Sequence, residues 1–132
     1  MRTISLWDEP PGAVWSPDGS KWAKIVDASE FRTAGPMVGT LVLSTAAVYE
    51  HCGVSIRWSD DLCYLAVPKL FPKRPEFRIL VGDTATGKAH WAPGRYPPIA
   101  LMAFMGSTLT IREPDDSIRT VDLGRIDKAD WT

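Results

Sequence analysis

The residue types best able to do chemistry in this chain are two cysteines, two histidines, three adjacent carboxylate pairs and one short basic stretch. His51 and Cys52 are neighbours, Cys63 follows, and His90 lies far downstream. Zinc sites bring their ligands in close pairs such as Cys-x-x-Cys; this set has one adjacent pair, so no metal is expected. A nucleophilic Cys52 or Cys63 served by His90 needs an adjacency in space that the spacing does not supply. In a reducing compartment both cysteines read as small buried apolar residues with no disulfide. Neither Gly-x-Ser-x-Gly nor a phosphate-cradling Gly-rich loop occurs, and no cofactor is expected.

The pairs Asp8-Glu9, Asp60-Asp61 and Asp115-Asp116 have the composition for glycoside chemistry or calcium binding. All three fall at turns, where Asp is favoured because its carboxylate bonds to nearby backbone, so a structural role is expected. Of six tryptophans, Trp15, Trp22 and Trp58 sit at recurring positions that point to a core, and Trp7, Trp91 and Trp131 are freer to anchor a partner. The stretch Lys69-Leu70-Phe71-Pro72-Lys73-Arg74-Pro75-Glu76-Phe77-Arg78 stands apart. It reads as a loop between two strands, basic around Phe71 and stiffened by two prolines that also restrict their predecessors. A stiff loop loses little entropy on binding, so Lys69, Phe71, Lys73, Arg74 and Arg78 are the expected partner-binding residues. Asp27 to Met37 reads as a mixed-charge loop on the same side.

Strands must position these groups, and their clearest signature is a repeated turn. Trp15-Ser16-Pro17-Asp18-Gly19 is echoed by Trp58-Ser59-Asp60-Asp61-Leu62, 43 positions later. In the first copy Pro17 presets φ, Ser16 bonds back to the backbone and Gly19 supplies the left-handed conformation that releases the next strand. Without gaps Trp15 lies on Trp58, Trp22 on Leu65 and Ala23 on Ala66, which predicts two equivalent hairpins with both tryptophans buried. Thr45 to His51 is the best helical candidate and competes with a strand reading. Phe77 to Val81 reads as a strand turning at Asp83-Thr84-Ala85-Thr86-Gly87-Lys88. A fainter third unit runs from a strand at Ile99 to Phe104, through Met105-Gly106-Ser107, to a hairpin around Pro114-Asp115-Asp116-Ser117, with Tyr96-Pro97-Pro98 linking units two and three.

This pattern resembles the WSPDG-type repeat of TolB-like and related WD40-like β-propellers, with only the first turn carrying the full signature. The resemblance implies an all-β chain, an antiparallel meander of three blade-like units at about 4–51, 52–94 and 95–124, with 125–132 as a tail. Closed propellers use about four to eight blades. Three units therefore either complete a ring with a copy of the chain or fold as an open, compact β domain whose edges need cover.

The 132 residues, 45% of them hydrophobic, suit a single core. A net charge of −1 argues against a general nucleic-acid binder. No apolar run approaches the ~20 residues of a membrane span. Met1 to Trp7 meets Asp8-Glu9-Pro10-Pro11 without a secretory apolar segment, which points to the cytoplasm. The expected function is non-enzymatic protein binding, most concretely an immunity protein or antitoxin that covers a cognate toxin. A carbohydrate-binding or hydrolytic protein and a ring-completing subunit are the alternatives.

Overall fold

The computed structural model describes residues 12–31, 35–60, 64–71, 73, 76–84 and 86–123. Eleven antiparallel strands and the turns between them make up these residues, with no helix. The first eight are β1 (Val14–Trp15), β2 (Trp22–Glu30), β3 (Met37–Leu43), β4 (Val48–Gly53), β5 (Arg57–Trp58), β6 (Tyr64–Phe71), β7 (Glu76–Asp83) and β8 (Lys88–Trp91). They form one sheet in the order β1-β2-β3-β4-β6-β7-β8, with β5 also on β6, curled into a half-barrel. A separate sheet holds β9 (Ala100–Met105), β10 (Thr108–Arg112) and β11 (Ile118–Asp122) in the order β11-β10-β9.

The two related turns make hairpins of the same register. Trp15 pairs with Trp22 and Val14 with Ala23; Trp58 pairs with Leu65 and Arg57 with Ala66. The closing bonds match as well. Ser16 N donates to Lys21 O while Ser16 Oγ accepts from Lys21 N, and Ser59 N donates to Tyr64 O while Ser59 Oγ accepts from Tyr64 N. A serine that closes the turn through both backbone and side chain fixes the pairing locally, before any packing is added. The units do not stand apart as blades, because Cys52 of β4 pairs with Lys69 of β6 and joins them into one open sheet.

Burial differs along that sheet. In β2 and β3 alternate residues enter the core, Ala23 and Ile25 facing Leu41 and Leu43, as a sheet with one covered face requires. β6 and β7 are covered on both faces. Leu65, Val67 and Leu80 join the core inside the curl, while Ala66, Ile79 and Val81 pack with Leu101, Phe104, Leu109 and Ile111 of the small sheet. Two-sided burial fits the consecutive apolar residues Leu65 to Val67 and Ile79 to Val81.

Several expectations are corrected here. Lys69 to Phe71 and Glu76 to Arg78 are strand and not loop, since Lys69 pairs with Arg78, Leu70 with Phe77 and Phe71 with Glu76. Likewise β2 runs to Glu30 and β3 begins at Met37, so the expected loop from Asp27 to Met37 is strand at both of its ends. Val48 to Gly53 is strand β4 and not a helix, because pairing with β3 overrides a weak local preference. Trp58 is buried at 7% exposure, but Trp15 is 53% exposed and belongs to no core.

Candidate functional site

Pairing register brings an aromatic and cationic set to one face at the β6–β7 end. Residues directly opposite on an antiparallel pair share a face, so Lys69 with Arg78 and Phe71 with Glu76 line up on the side that holds Val67 and Leu80. β8 adds Trp91, opposite Leu80. The rings of Phe71 and Trp91 lie 5.3 Å apart, tilted by 57°, and the Arg78 guanidinium carbon sits 4.9 Å from the centre of the Trp91 ring. Phe71, Lys73, Glu76, Arg78 and Arg95 line an open cleft of about 270 Å³.

Its electrostatics are lopsided. Three cations line the cleft against one carboxylate, and Glu76 is engaged by Arg95 at 3.5 Å in a half-exposed pair. Among the described residues Lys69, Lys73 and Arg78 make no ion pair. Arg78 Nε is shut off from solvent without an acceptor among those residues, an arrangement that costs about 1–3 kcal/mol in general. Lys69 also lies near the Cys52 thiol and favours its ionised form, but burial dominates and pushes that group up to about 12.

Of the five expected binding residues, Phe71, Lys73 and Arg78 meet in this cleft and Lys69 stands beside them on the same face. Arg74 lies outside the described residues, as do Cys63, Asp61, the Asp8-Glu9 pair, Trp7 and Trp131. Trp91 is one of the three tryptophans expected to be free to anchor a partner, whereas Glu76 and Arg95 are not among the expected binding residues. Trp91 had a readable signal, because closing the turn at Asp83 to Gly87 pairs Asp83 with Lys88 and therefore Leu80 with Trp91.

The other chemically suggestive groups are scattered. Cys52 is a free thiol buried inside the curl, donating weakly to Tyr49 O and Glu50 O. His90 pairs with Val81 and so faces the small sheet, on the opposite side from Cys52, which excludes the Cys52–His90 dyad. Among the described residues no group of three His, Cys, Asp or Glu is placed to hold a metal. Asp18 accepts from Ser16 Oγ, Ser20 N and Ser20 Oγ, and these bonds hold its carboxyl down to about 2. Asp60 Oδ1 accepts from Gly106 N and ties the second turn to the third unit. Asp115 likewise caps Ser117.

A second concavity, about 290 Å³, lies where β2, β3 and β4 slip register; Asp27 and His51, both on its lining, adopt left-handed φ of 54° and 57°. Gly39 fills the contact beneath them, since a Cβ there would stand 2.5 Å from Val26 O. The close approach of β2 to β3 at this point therefore requires glycine at 39.

Comparison with known protein families, curated proteins and solved structures returns no match. Among the described residues no helix is long and apolar enough to cross a membrane.

Proposed function

We propose that this protein is a non-enzymatic, cytoplasmic protein-binding module that docks its partner on the β6–β7 end. One observation carries the reading: Phe71, Trp91 and Arg78 converge on a single sheet face around an open, net-cationic cleft. Aromatic and arginine side chains in such a setting are the residues that dominate protein interfaces. They rise from paired strands, so little order has to be gained on binding. The TolB-like repeat stays part of the proposal, as an open derivative whose first two units have merged into one sheet.

The concrete form of this reading is an immunity-type inhibitor that covers a toxin. Co-expression with the product of an adjacent gene tests it directly. Wild-type protein should relieve growth arrest by that product, and failure to relieve it removes the inhibitor version. Purified components sharpen the result. Lys73→Glu with Arg74→Glu should slow association and reduce its salt dependence, whereas Phe71→Ala should speed dissociation. Unchanged kinetics for both variants would move the interface elsewhere.

A further inference from the structure

We infer that the cleft receives a carboxylate, an aspartate or glutamate side chain of the docking partner, on the Arg78 guanidinium held against Trp91. The inference rests on the partner-binding reading above and supplies the chemistry of the contact. Lys69 stands directly opposite Arg78 on one face of the sheet, a position in which like charges oppose folding. Local rules of this kind are broken at functional sites. No described carboxylate answers either charge, so an anion seated against them relieves a repulsion that the fold alone leaves in place.

Arg78 also has suitable geometry. With its guanidinium carbon 4.9 Å from the centre of the Trp91 ring, Arg78 is held by a contact that uses none of its N–H donors, and its planar fork matches a carboxylate with two parallel bonds. Nε itself is shut off from solvent, so the donors an entering carboxylate can reach are the outer N–H groups of the Arg78 side chain that lines the cleft. Lys73 and Arg95 line the same cleft, and Glu76 on Arg95 shows a carboxylate already accepted by one of its cations. Phe71, backed by Trp91, supplies an apolar wall for the methylene stem of an acidic side chain. A nucleic-acid backbone would need a basic surface extending well beyond the cleft, which a chain of net charge −1 does not favour.

The test follows the Arg78 Nε–H and Trp91 indole N–H signals of the whole nitrogen-15-labelled protein while a hexaglutamate peptide is added. Both signals should move and saturate, with hexaglutamine leaving them still. Arg78→Lys, which keeps the charge and loses the fork, should weaken the response by about tenfold. Lys73→Gln should weaken it only about twofold, mostly by reducing its salt dependence. The wild-type titration decides the matter even where a variant folds poorly. Signals that stay fixed with the peptide overturn the inference, and movement with inorganic phosphate but not with the peptide reassigns the cleft and overturns it too. If the peptide has no effect while a cross-linker at Lys73 still captures a protein, the carboxylate contact is wrong and the docking face stands. If the peptide binds but no protein cross-links there, the docking reading falls alone.

Discussion

The two hairpins opened by Trp15 and Trp58 share a register and a serine-closed turn, yet one tryptophan is 53% exposed and the other 7%. Their difference lies in what surrounds them. Trp58 Nε1 donates to Val14 O of the first hairpin at 2.9 Å, and Pro17 of the first turn lines one concavity with Trp58 and with Met102, Ala103 and Phe104 of β9. It is therefore clamped between the first and third units, and Trp15 has no such neighbours among the core clusters. The turn chemistry sets the pairing; position in the array sets the burial. The same asymmetry continues to the far end of the second unit, where two-sided packing of β6 and β7 ends in the cationic, aromatic cleft.

The largest expected contrast is between the two tryptophans. Trp58→Ala should cost about 3–5 kcal/mol, in the range for a large buried aromatic, while Trp15→Ala should stay within about 0.5 kcal/mol as a surface change. Urea unfolding of both variants measures this. Equal losses would mean that the two hairpins are packed alike and would break the comparison.

Two glycines sharpen it at a smaller scale. A Cβ at Gly39 would meet Val26 O at 2.5 Å and Ile25 Cγ2 at 2.7 Å, whereas Gly82 has open space. Gly39→Ala should therefore cost about 1–3 kcal/mol through forced backbone shifts, and Gly82→Ala should lie within about 0.5 kcal/mol of wild type. A tolerant Gly39 in thermal melts would mean that the register slips in β2 and β4 do not depend on its lack of a side chain.

The smallest effect concerns the first turn alone. Asp18, held down to about 2 by Ser20 and Ser16, has a folded-state value below its ordinary 3.8. Its contribution to stability is thus complete above about pH 4 and is lost as pH falls through about 2. Carbon-13 titration of the Asp18 carboxyl should show the low midpoint, and Asp18→Asn should flatten the acid dependence in that window. A midpoint near 3.8 would show that the turn bonds do not persist in solution.

How far the sequence could be read follows from the same division. The turn from Trp15 to Gly19 and its echo state their pairing within a few residues, so the all-β fold, the repeated register and the hairpin around Asp115 were legible. Cover was not. Nothing near Trp15 or Trp58 says which is clamped by β9. Pro72 and Pro75 make the whole stretch from Lys69 to Arg78 read as a loop, but cross-strand pairs carry β6 to Phe71 and start β7 at Glu76. Even Pro68 lies inside β6, between the residues paired with β5 and the one paired with β4, where that edge lacks a partner strand. Phe71, Lys73 and Arg78 stand out by composition and Trp91 reads as a free anchor, but that it joins them appears only once β8 is folded back on β7.

The central claim is that the protein docks through the cleft on its second unit and not through the exposed Trp15 on its first. A photo-reactive residue placed in turn at Lys73 and at Trp15, irradiated in the cells that make the protein and followed by mass identification of adducts, tests it most directly. The account predicts a defined protein adduct from Lys73 that is lost with Arg78→Lys, and none from Trp15. An adduct from Trp15 with none from Lys73 would contradict it.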